Sequence, residues 1–425
     1  MGELLTSDWL SAQRWFRSKQ RRIDSLAEVD RAPLSDHVAL TVVEVSYAGG
    51  GARDRYLVPM VDGREPADGD GAWRALVGAI ADDATVRGAR GTFLASRTEA
   101  LDVLLPSARE AAASLDERRL RVEQSNTSVV LGERLILKLY RLLEPGISPD
   151  LEVSAFLTDA GFDETPAVAG SIVYRAPDEE PAAAAMLQAF VPSTGDAWGA
   201  MLDALATDTA RATEMAAAIG RLTVRMHVAL ASRPDDPGFP ARAASPSETA
   251  GWRASAESQL AQAVSAVSGE AHDRLVGLAP RVTARFADAF GRATGDELVS
   301  RIHGDYHLGQ LLARTDGGFS IIDFEGEPAR PLAERRAPSS PLRDVAGMLR
   351  SLDYAARTAA RRSGLDADAW LADARGAFLG EYGALGALVD AFELEKACYE
   401  IRYEANNRPS WLWLPLAAVE RLAHA

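Results

Sequence analysis

The chain has 425 residues, with 46 basic against 61 acidic residues for a net charge of −15, 47% apolar and 25% charged. That composition is ordinary for a globular protein of two or three domains, and the acidic balance argues against nucleic acid or an anionic membrane surface as a partner. The single cysteine, Cys398, excludes an internal disulfide and a cysteine-based zinc cluster, and no run of about 18 apolar residues is available to span a membrane.

In chain order, residues 1–16 carry acids and tryptophans where a signal peptide needs a basic and then an apolar segment, so a cytoplasmic protein is expected. Met1-Gly2-Glu3-Leu4-Leu5-Thr6 fits the loose myristoylation pattern and is read as coincidence. Residues 42–47 and 56–61 form a hairpin-like pair of strands around Gly49-Gly50-Gly51, followed by a Gly/Asp/Pro-rich loop over 62–71. Strand patterns resume after residue 91. Residues 127–131 and 134–140 make a second hairpin around Gly132-Glu133, and 149–160 a helix with Pro149 and Asp150 at its start. Residues 171–175 and 184–191 are further strands. From Trp198 the chain is mostly helical, with one long helix over 204–232, a helical pair over 255–267 and 275–292, a loop-rich island over 298–324, and helices after Pro341. A strand-rich first half and a helix-rich second half predict an α+β protein of two lobes with a site at their junction.

The island carries the chemistry. It reads Arg301-Ile302-His303-Gly304-Asp305-Tyr306-His307-Leu308-Gly309-Gln310, then Ile321-Ile322-Asp323-Phe324-Glu325-Gly326-Glu327. Asp305 follows a glycine, where its carboxylate stands clear of the backbone. Gln310 offers an amide oxygen five residues on, and Asp323 ends an apolar run. One base-like acid, an amide and a second acid suit Mg²⁺, a hard cation that shares its coordination with substrate phosphates. The spacing is that of kinase catalytic and metal loops, with Gln310 in the asparagine position and Asp323-Phe324-Glu325 replacing Asp-Phe-Gly.

Only Lys19, Lys138 and Lys396 are lysines among the 46 basic residues. This scarcity points to a GC-rich genome, and it makes each survivor informative. Lys138 sits inside the apolar run Leu135-Ile136-Leu137-Lys138-Leu139, where a charge is costly unless paired, and Glu152 on the following helix is the expected partner. Lys19, among Arg17, Arg21 and Arg22, reads as solvated. Lys396, with Glu393 and Glu400 at helical spacing, reads as a simple ion-pair partner. The loop Gln124-Ser125-Asn126-Thr127-Ser128 precedes the second hairpin and has no glycine, so its hydroxyls and backbone N–H groups would cover phosphates in place of a glycine-rich cradle.

These residues resemble a known family. His303-Gly304-Asp305 with Gln310-Leu311-Leu312, then Asp323-Phe324-Glu325-Gly326-Glu327-Pro328, then Pro341-Leu342-Arg343-Asp344-Val345-Ala346-Gly347 are similar to the maltokinase group within the aminoglycoside-phosphotransferase-like, protein-kinase-like fold. Arg14-Trp15-Phe16, Gln124 to Ser128 and Leu187-Gln188-Ala189-Phe190-Val191-Pro192 extend the likeness over most of the chain. The resemblance implies an N-terminal cap (1–90), an intermediate nucleotide-binding subdomain (91–191) and a helical C-lobe (192–425). It implies ATP and Mg²⁺ as cofactors, Asp305 as catalytic base and Gln310 and Asp323 as metal ligands. It also implies Lys138 on the phosphates, where Glu152 is its expected pairing acid and Ser125, Asn126, Thr127 and Ser128 the expected cover, with Gln188, Phe190 and Val191 in the hinge strand at the adenine.

Residues 399–411, Tyr-Glu-Ile-Arg-Tyr-Glu-Ala-Asn-Asn-Arg-Pro-Ser-Trp, depart from maltokinases by placing Asn406 and Asn407 where more basic residues are expected. With Tyr306, the acids, amides and aromatic plane of Glu400, Glu404, Asn407 and Trp411 suit a small hydroxylated ring, and Glu404 favours one bearing an ammonium. This resembles the actinobacterial glucosamine kinases. The expected activity is transfer of the ATP γ-phosphoryl group to glucosamine, giving glucosamine 6-phosphate, by a monomer or homodimer. The alternatives are a maltokinase making maltose 1-phosphate, an aminoglycoside phosphotransferase and a non-catalytic nucleotide-binding module. His303 and His307 could suggest zinc, but His303 is expected to hydrogen-bond the loop backbone. Asp344 is expected to anchor the catalytic loop beside Arg343. Glu325 and Glu327 are expected to meet metal-bound water or to pair with Arg330, Arg335 or Arg336. Of Trp411 and Trp413, one could stack on a sugar while the other packs.

Overall fold

The computed structural model describes residues 5–120, 125–293, 297–327, 330–364, 366–383 and 386–424. Gln124, Pro328 and the first four residues of the myristoylation-like pattern lie outside them. The described chain packs as two compact units, Met1–Pro192 and Ser193–Ala425.

The first unit holds a three-stranded antiparallel sheet of β1 (Ile23–Pro33), β2 (Val38–Tyr47) and β3 (Asp54–Val61), in that order. The expected hairpin is β2–β3, turned by three glycines that all have positive φ. The polar strand β1, IDSLAEVDRAP, and the helix α1 (Ala72–Ala81) were not among the expected elements, although Trp73, Leu76, Val77 and Ile80 of α1 are buried at helical spacing. A second sheet runs in the order β4-β5-β9-β10-β8-β7-β6, with β4 (Thr85–Arg87), β5 (Thr92–Arg97), β6 (Glu117–Arg119), β7 (Asn126–Leu131), β8 (Leu135–Tyr140), β9 (Val168–Arg175) and β10 (Ala182–Ala189). One core collects Leu40, Val42 and Trp73 together with Val129, Leu137, Leu139 and Leu187, so residues from both sides of position 90 share it.

Register in β7, β8 and β10 decides which side chains face that core. Thr127 opposes Leu139, Ser128 opposes Lys138, and Lys138 opposes Met186. Side chains alternate across a strand, so Leu137, Leu139 and Leu187 turn to the core while Ser128, Lys138, Tyr140, Met186 and Gln188 share the opposite face. Helix α2 (Pro149–Asp159), begun by proline at its first turn, packs beside β9.

The second unit is mainly helical: α3 (Ala197–Thr207), α4 (Thr209–Leu230), α5 (Pro246–Ala266), α6 (Gly269–Gly291), α7 (Leu342–Ser363), α8 (Ala367–Tyr382), α9 (Ala387–Asn407) and α10 (Trp413–His424). The single helix expected over 204–232 is two helices. Asp208 interrupts it because its carboxylate caps α4 by accepting from Arg211 N at 3.1 Å. Ser245 and Glu248 form a reciprocal capping box at the start of α5. Two strands of the island, β12 (Leu311–Arg314) and β13 (Phe319–Ile321), join β11 (Ser193–Asp196) in a small antiparallel sheet. Helices α5, α6, α9 and α10 enclose a core that includes Phe286, Phe290, Phe392 and Ile401.

Candidate active site

Asp305 is presented by a tight loop. Gly304 has φ +83, and a Cβ there would lie 3.1 Å from the Cα of Gly326, so the glycine lets the two loops of the island touch. The loop is fixed from below by Asp344, buried at the start of α7. Its Oδ2 accepts from His303 N at 2.7 Å and its Oδ1 from Gly304 N at 2.9 Å. His227 of α4 adds a third contact: its Nε2 lies 3.1 Å from Asp344 Oδ2, and its Nδ1 lies 2.8 Å from the Tyr382 hydroxyl. Burial alone would raise the Asp344 pKa, but the partnership with His227 and the loop amides holds it below the ordinary carboxylate value. His303 behaves as its sequence context suggested: its Nε2 lies 3.0 Å from the Ile322 carbonyl, and its ring packs on Phe324 and Tyr306.

Gln310 and Asp323 are tied together because Ile322 N donates to the Gln310 carbonyl at 3.0 Å. Asp323 has φ +63, a conformation uncommon outside glycine that aspartate adopts more readily than most residues. An amide oxygen and a carboxylate are hard donors. Among the described residues no cluster of three or more His, Cys, Asp or Glu forms a cage for a metal. Hard oxygen donors of this kind suit Mg²⁺, which is bound by one or two protein groups plus substrate phosphates and water.

A cavity of about 910 Å³ opens beside Asp305 within the second unit. One face of α9 forms its wall through Phe392, Glu395, Lys396, Tyr399, Glu400, Tyr403 and Glu404, the i, i+3, i+4 spacing of a helix stripe. Lys396 is not the simple ion-pair partner its helical neighbours suggested. Its Nζ lies 3.7 Å from Asp305 Oδ1 and 3.8 Å from Glu327 Oε1. Burial disfavours its charge, yet Asp305, Glu327, Tyr399 and Glu400 outweigh that and hold its pKa above the ordinary lysine value. Glu327 pairs with Arg330 at 2.6 Å, one of the partners expected for it. The Glu325 carbonyl accepts from Arg335 Nη1 at 3.4 Å. Arg343 Nη1 lies 3.0 Å from Glu395 Oε2 and its guanidinium stacks on Phe392.

The expected acceptor residues divide. Glu400 Oε2 accepts from Arg350 Nε and Nη2 at 2.9 and 2.7 Å. Glu404, which lines the cavity, is neutralised: Arg408 Nη2 and Nε donate to its two oxygens at 2.6 and 3.0 Å, and the Tyr354 hydroxyl adds 3.1 Å. Asn407 Nδ2 donates to the Tyr403 carbonyl, and Trp411 stacks on Tyr354 with ring planes 9° apart. Neither residue is among those lining the cavity. Tyr306 is among the residues lining the cavity, although it is only 2% exposed and its hydroxyl is held by Thr223 at 3.1 Å.

In the first unit, Lys138 Nζ donates to Asp150 Oδ2 at 2.8 Å, and the Tyr140 hydroxyl donates to the same oxygen at 2.7 Å. Asp150 lies two residues before the expected Glu152, in the same first helical turn. Thr127 is corrected by register. It sits on the core side, where its Oγ1 accepts from the buried Arg141 Nε at 2.8 Å, so its hydroxyl is turned away from the Lys138 face. Asn126 and Ser128 lie on the Lys138 face, Ser125 is half-buried just before the strand, and Gln188 ends the same face. Phe190 N donates to the Arg134 carbonyl at 2.9 Å, and Phe190 and Val191 follow β10 half-buried.

The residues that sequence reasoning missed are Asp150, His227, Arg350 and the role of Lys396. For Lys396 the rarity of lysine was the available signal. The others are ordinary residue types whose meaning comes only from their neighbours.

Residues 9–90 match the maltokinase N-terminal cap domain, and residues 107–379 match the phosphotransferase enzyme family. The chain is 33% identical over 391 residues to a glucosamine kinase of Streptacidiphilus jiangxiensis, covering 85% of this chain and 84% of that one. It is 28% identical over 330 residues to a glucosamine kinase of Mycolicibacterium smegmatis, covering 72% and 79%. Among solved structures, a glucosamine kinase superposes with TM-score 0.78 at 27% identity over 99% of this chain and 98% of that one. A glucosamine kinase in complex with glucosamine, ADP and inorganic phosphate superposes with TM-score 0.74 at the same identity, over 99% and 97%. The fold is thus the two-lobed, protein-kinase-like fold of aminoglycoside phosphotransferases, carrying an N-terminal cap domain.

Proposed function

The chain belongs to the phosphotransferase enzyme family, and from that premise we propose that it transfers the γ-phosphoryl group of ATP to glucosamine, giving glucosamine 6-phosphate. The observation that carries the acceptor assignment is the cavity itself. It holds the carboxylate of Asp305 and, on the same wall, Glu400, whose Oε2 is occupied by Arg350 while no described residue donates to Oε1. An acidic oxygen without a donor suits an ammonium or a sugar hydroxyl. Burial holds the Glu400 pKa above the ordinary value even against Arg350, so a bound cation would be welcomed there. This moves the amine-recognition role from Glu404, which Arg408 already neutralises, to Glu400. Tyr399 and Tyr403 add ring faces beside it.

Asp305 orients the acceptor hydroxyl and takes its proton as the hydroxyl oxygen bonds to phosphorus and ADP departs. Lys138, held straight by Asp150, balances phosphate charge. Mg²⁺, which Gln310 and Asp323 would hold, supplies neutralisation of phosphate charge when bound. No covalent enzyme intermediate is needed, so positioning and electrostatics provide the rate. In this reading, residues 1–90 form the cap, 91–191 the nucleotide-binding subdomain and 192–425 the acceptor lobe, and the enzyme works in the cytoplasm, where ATP is available.

The test is ADP release with Mg-ATP against glucosamine, maltose, glucose and an aminoglycoside. Glucosamine should be turned over with the highest kcat/KM, and Asp305→Asn should remove nearly all turnover. Preference for maltose, or full activity of Asp305→Asn, would overturn the assignment.

A further inference from the structure

Lys396 occupies an unusual place. It projects from the middle of α9 into the cavity, 91 residues along the chain from Asp305, and stands between two carboxylates. Three of its neighbours come from different segments: Asp305 from the catalytic loop, Glu327 from the loop after β13, and Tyr399 from its own helix, where the ammonium lies 4.6 Å from the ring centre. Glu327 is in turn held by Arg330 at 2.6 Å. The result is a chain of alternating charge, Arg330–Glu327–Lys396–Asp305, that ends on the carboxylate assigned as base.

The two oxygens of Asp305 are not equivalent in this setting. Oδ1 lies toward Lys396 at 3.7 Å, while Oδ2 lies 4.0 Å from His307 Nε2. Burial holds the His307 pKa below the ordinary histidine value, with Lys396 and His303 contributing in the same direction and Asp305 and Asp323 opposing. The ring is held from its other side, because Gly309 N donates to His307 Nδ1 at 3.0 Å. No described residue donates a hydrogen bond to either oxygen.

Resting on the kinase reading above, we infer that Lys396 is a positioning residue for phosphoryl transfer: it anchors Asp305 through Oδ1 and leaves Oδ2 as the oxygen that receives the acceptor proton. The proton passes from the sugar hydroxyl to Oδ2 as the sugar oxygen bonds to phosphorus and the bond from phosphorus to the β-phosphate oxygen breaks. Asp305 then releases that proton to solvent.

The experiment compares the pH dependence of kcat with glucosamine and Mg-ATP for the wild type, Lys396→Met and Lys396→Arg. The groups facing Lys396 are Asp305, Glu327, Tyr399, Glu400 and His307, with Arg330 behind Glu327. Of these, Asp305 is the one whose protonation stops proton acceptance. Loss of the neighbouring cation makes it easier to protonate, so the acid limb of kcat should move up by about one pH unit in Lys396→Met, with kcat at neutral pH falling at least tenfold and KM for Mg-ATP staying within threefold. Lys396→Arg keeps the charge and should retain the wild-type acid limb. A purely structural lysine would lower the melting temperature without moving that limb.

The inference is overturned if Lys396→Met keeps the wild-type acid limb, or if Lys396→Arg shifts it as far as Lys396→Met does. Should Lys396→Met not fold, Lys396→Gln is read in the same way. Failure of the kinase reading looks different, because the wild type itself would then release no ADP with glucosamine.

Discussion

Gly347 offers a sharp way to separate the stability of this protein from its catalytic geometry. It lies in the second turn of α7, where a Cβ would sit 2.7 Å from the backbone carbonyl oxygen of Tyr306, the residue after Asp305. Ordinary contact begins near 3.4 Å, so Gly347→Ala must push the catalytic loop and helix apart by about 0.7 Å. Two effects compete in stability. Alanine is favoured over glycine inside a helix by about 1 kcal/mol, while overpacking costs about 1–3 kcal/mol. The net is a loss of about 0–2 kcal/mol, a melting-temperature drop of a few degrees. Catalysis is less forgiving, since a misplacement of about 1 Å costs on the order of a hundredfold. A shift of this size should therefore lower kcat roughly ten- to thirtyfold.

Gly220→Ala is the control. Its Cβ would meet the Phe378 carbonyl oxygen at 2.4 Å, a worse clash, but between α4 and α8, and neither residue lines the cavity. It should destabilise at least as much and leave kcat within twofold. Thermal melts and steady-state ADP release measure both. Wild-type kcat in Gly347→Ala, or equal kcat losses in both variants, would refute the reasoning.

Other outcomes follow from the same geometry. Asp344→Asn removes an anion serving two loop amides and His227, and should cost about 3 kcal/mol of stability along with most of kcat, read by denaturant titration and ADP release. Lys138→Met should raise KM for Mg-ATP at least tenfold while leaving KM for glucosamine nearly unchanged. Glu400→Gln should raise KM for glucosamine more than for glucose, whereas Glu404→Gln should affect both sugars alike because its carboxylate already serves Arg408. The bond with Arg242 lowers the Glu248 pKa from 4.5 to about 2, against opposing burial, with Ser245 assisting. A depressed carboxylate stabilises the fold above its unfolded value and loses that contribution as pH falls through the folded one. Wild type should thus be more stable than Glu248→Gln at neutral pH, and the gap should close from about pH 4.5 to about 2, measured by thermal melts.

The catalytic island was readable because its chemistry is local. His303, Gly304, Asp305, Gln310 and Asp323 lie within one short segment, and their order already specifies a loop, an acid and two hard oxygen ligands. The hairpin bearing Lys138 was readable for a related reason: a lysine inside an apolar strand violates the pattern around it. The long α4 was misjudged because alanine-rich helices look continuous until a single aspartate caps a new start. Thr127 and Ser128 look interchangeable in sequence, yet alternate pleats send one to the core with Arg141 and the other to the face of Lys138.

What the sequence determined by itself was therefore the reaction class and the residues that act within one loop or one strand. What tertiary structure decided was charge balance. Glu404 is spent on Arg408, Glu400 keeps one oxygen without a donor, and Lys396 reaches Asp305 across 91 residues. The physical reason is that the strength and sign of an electrostatic contact depend on distance and desolvation, and neither is encoded in sequence spacing once the partners lie on different elements.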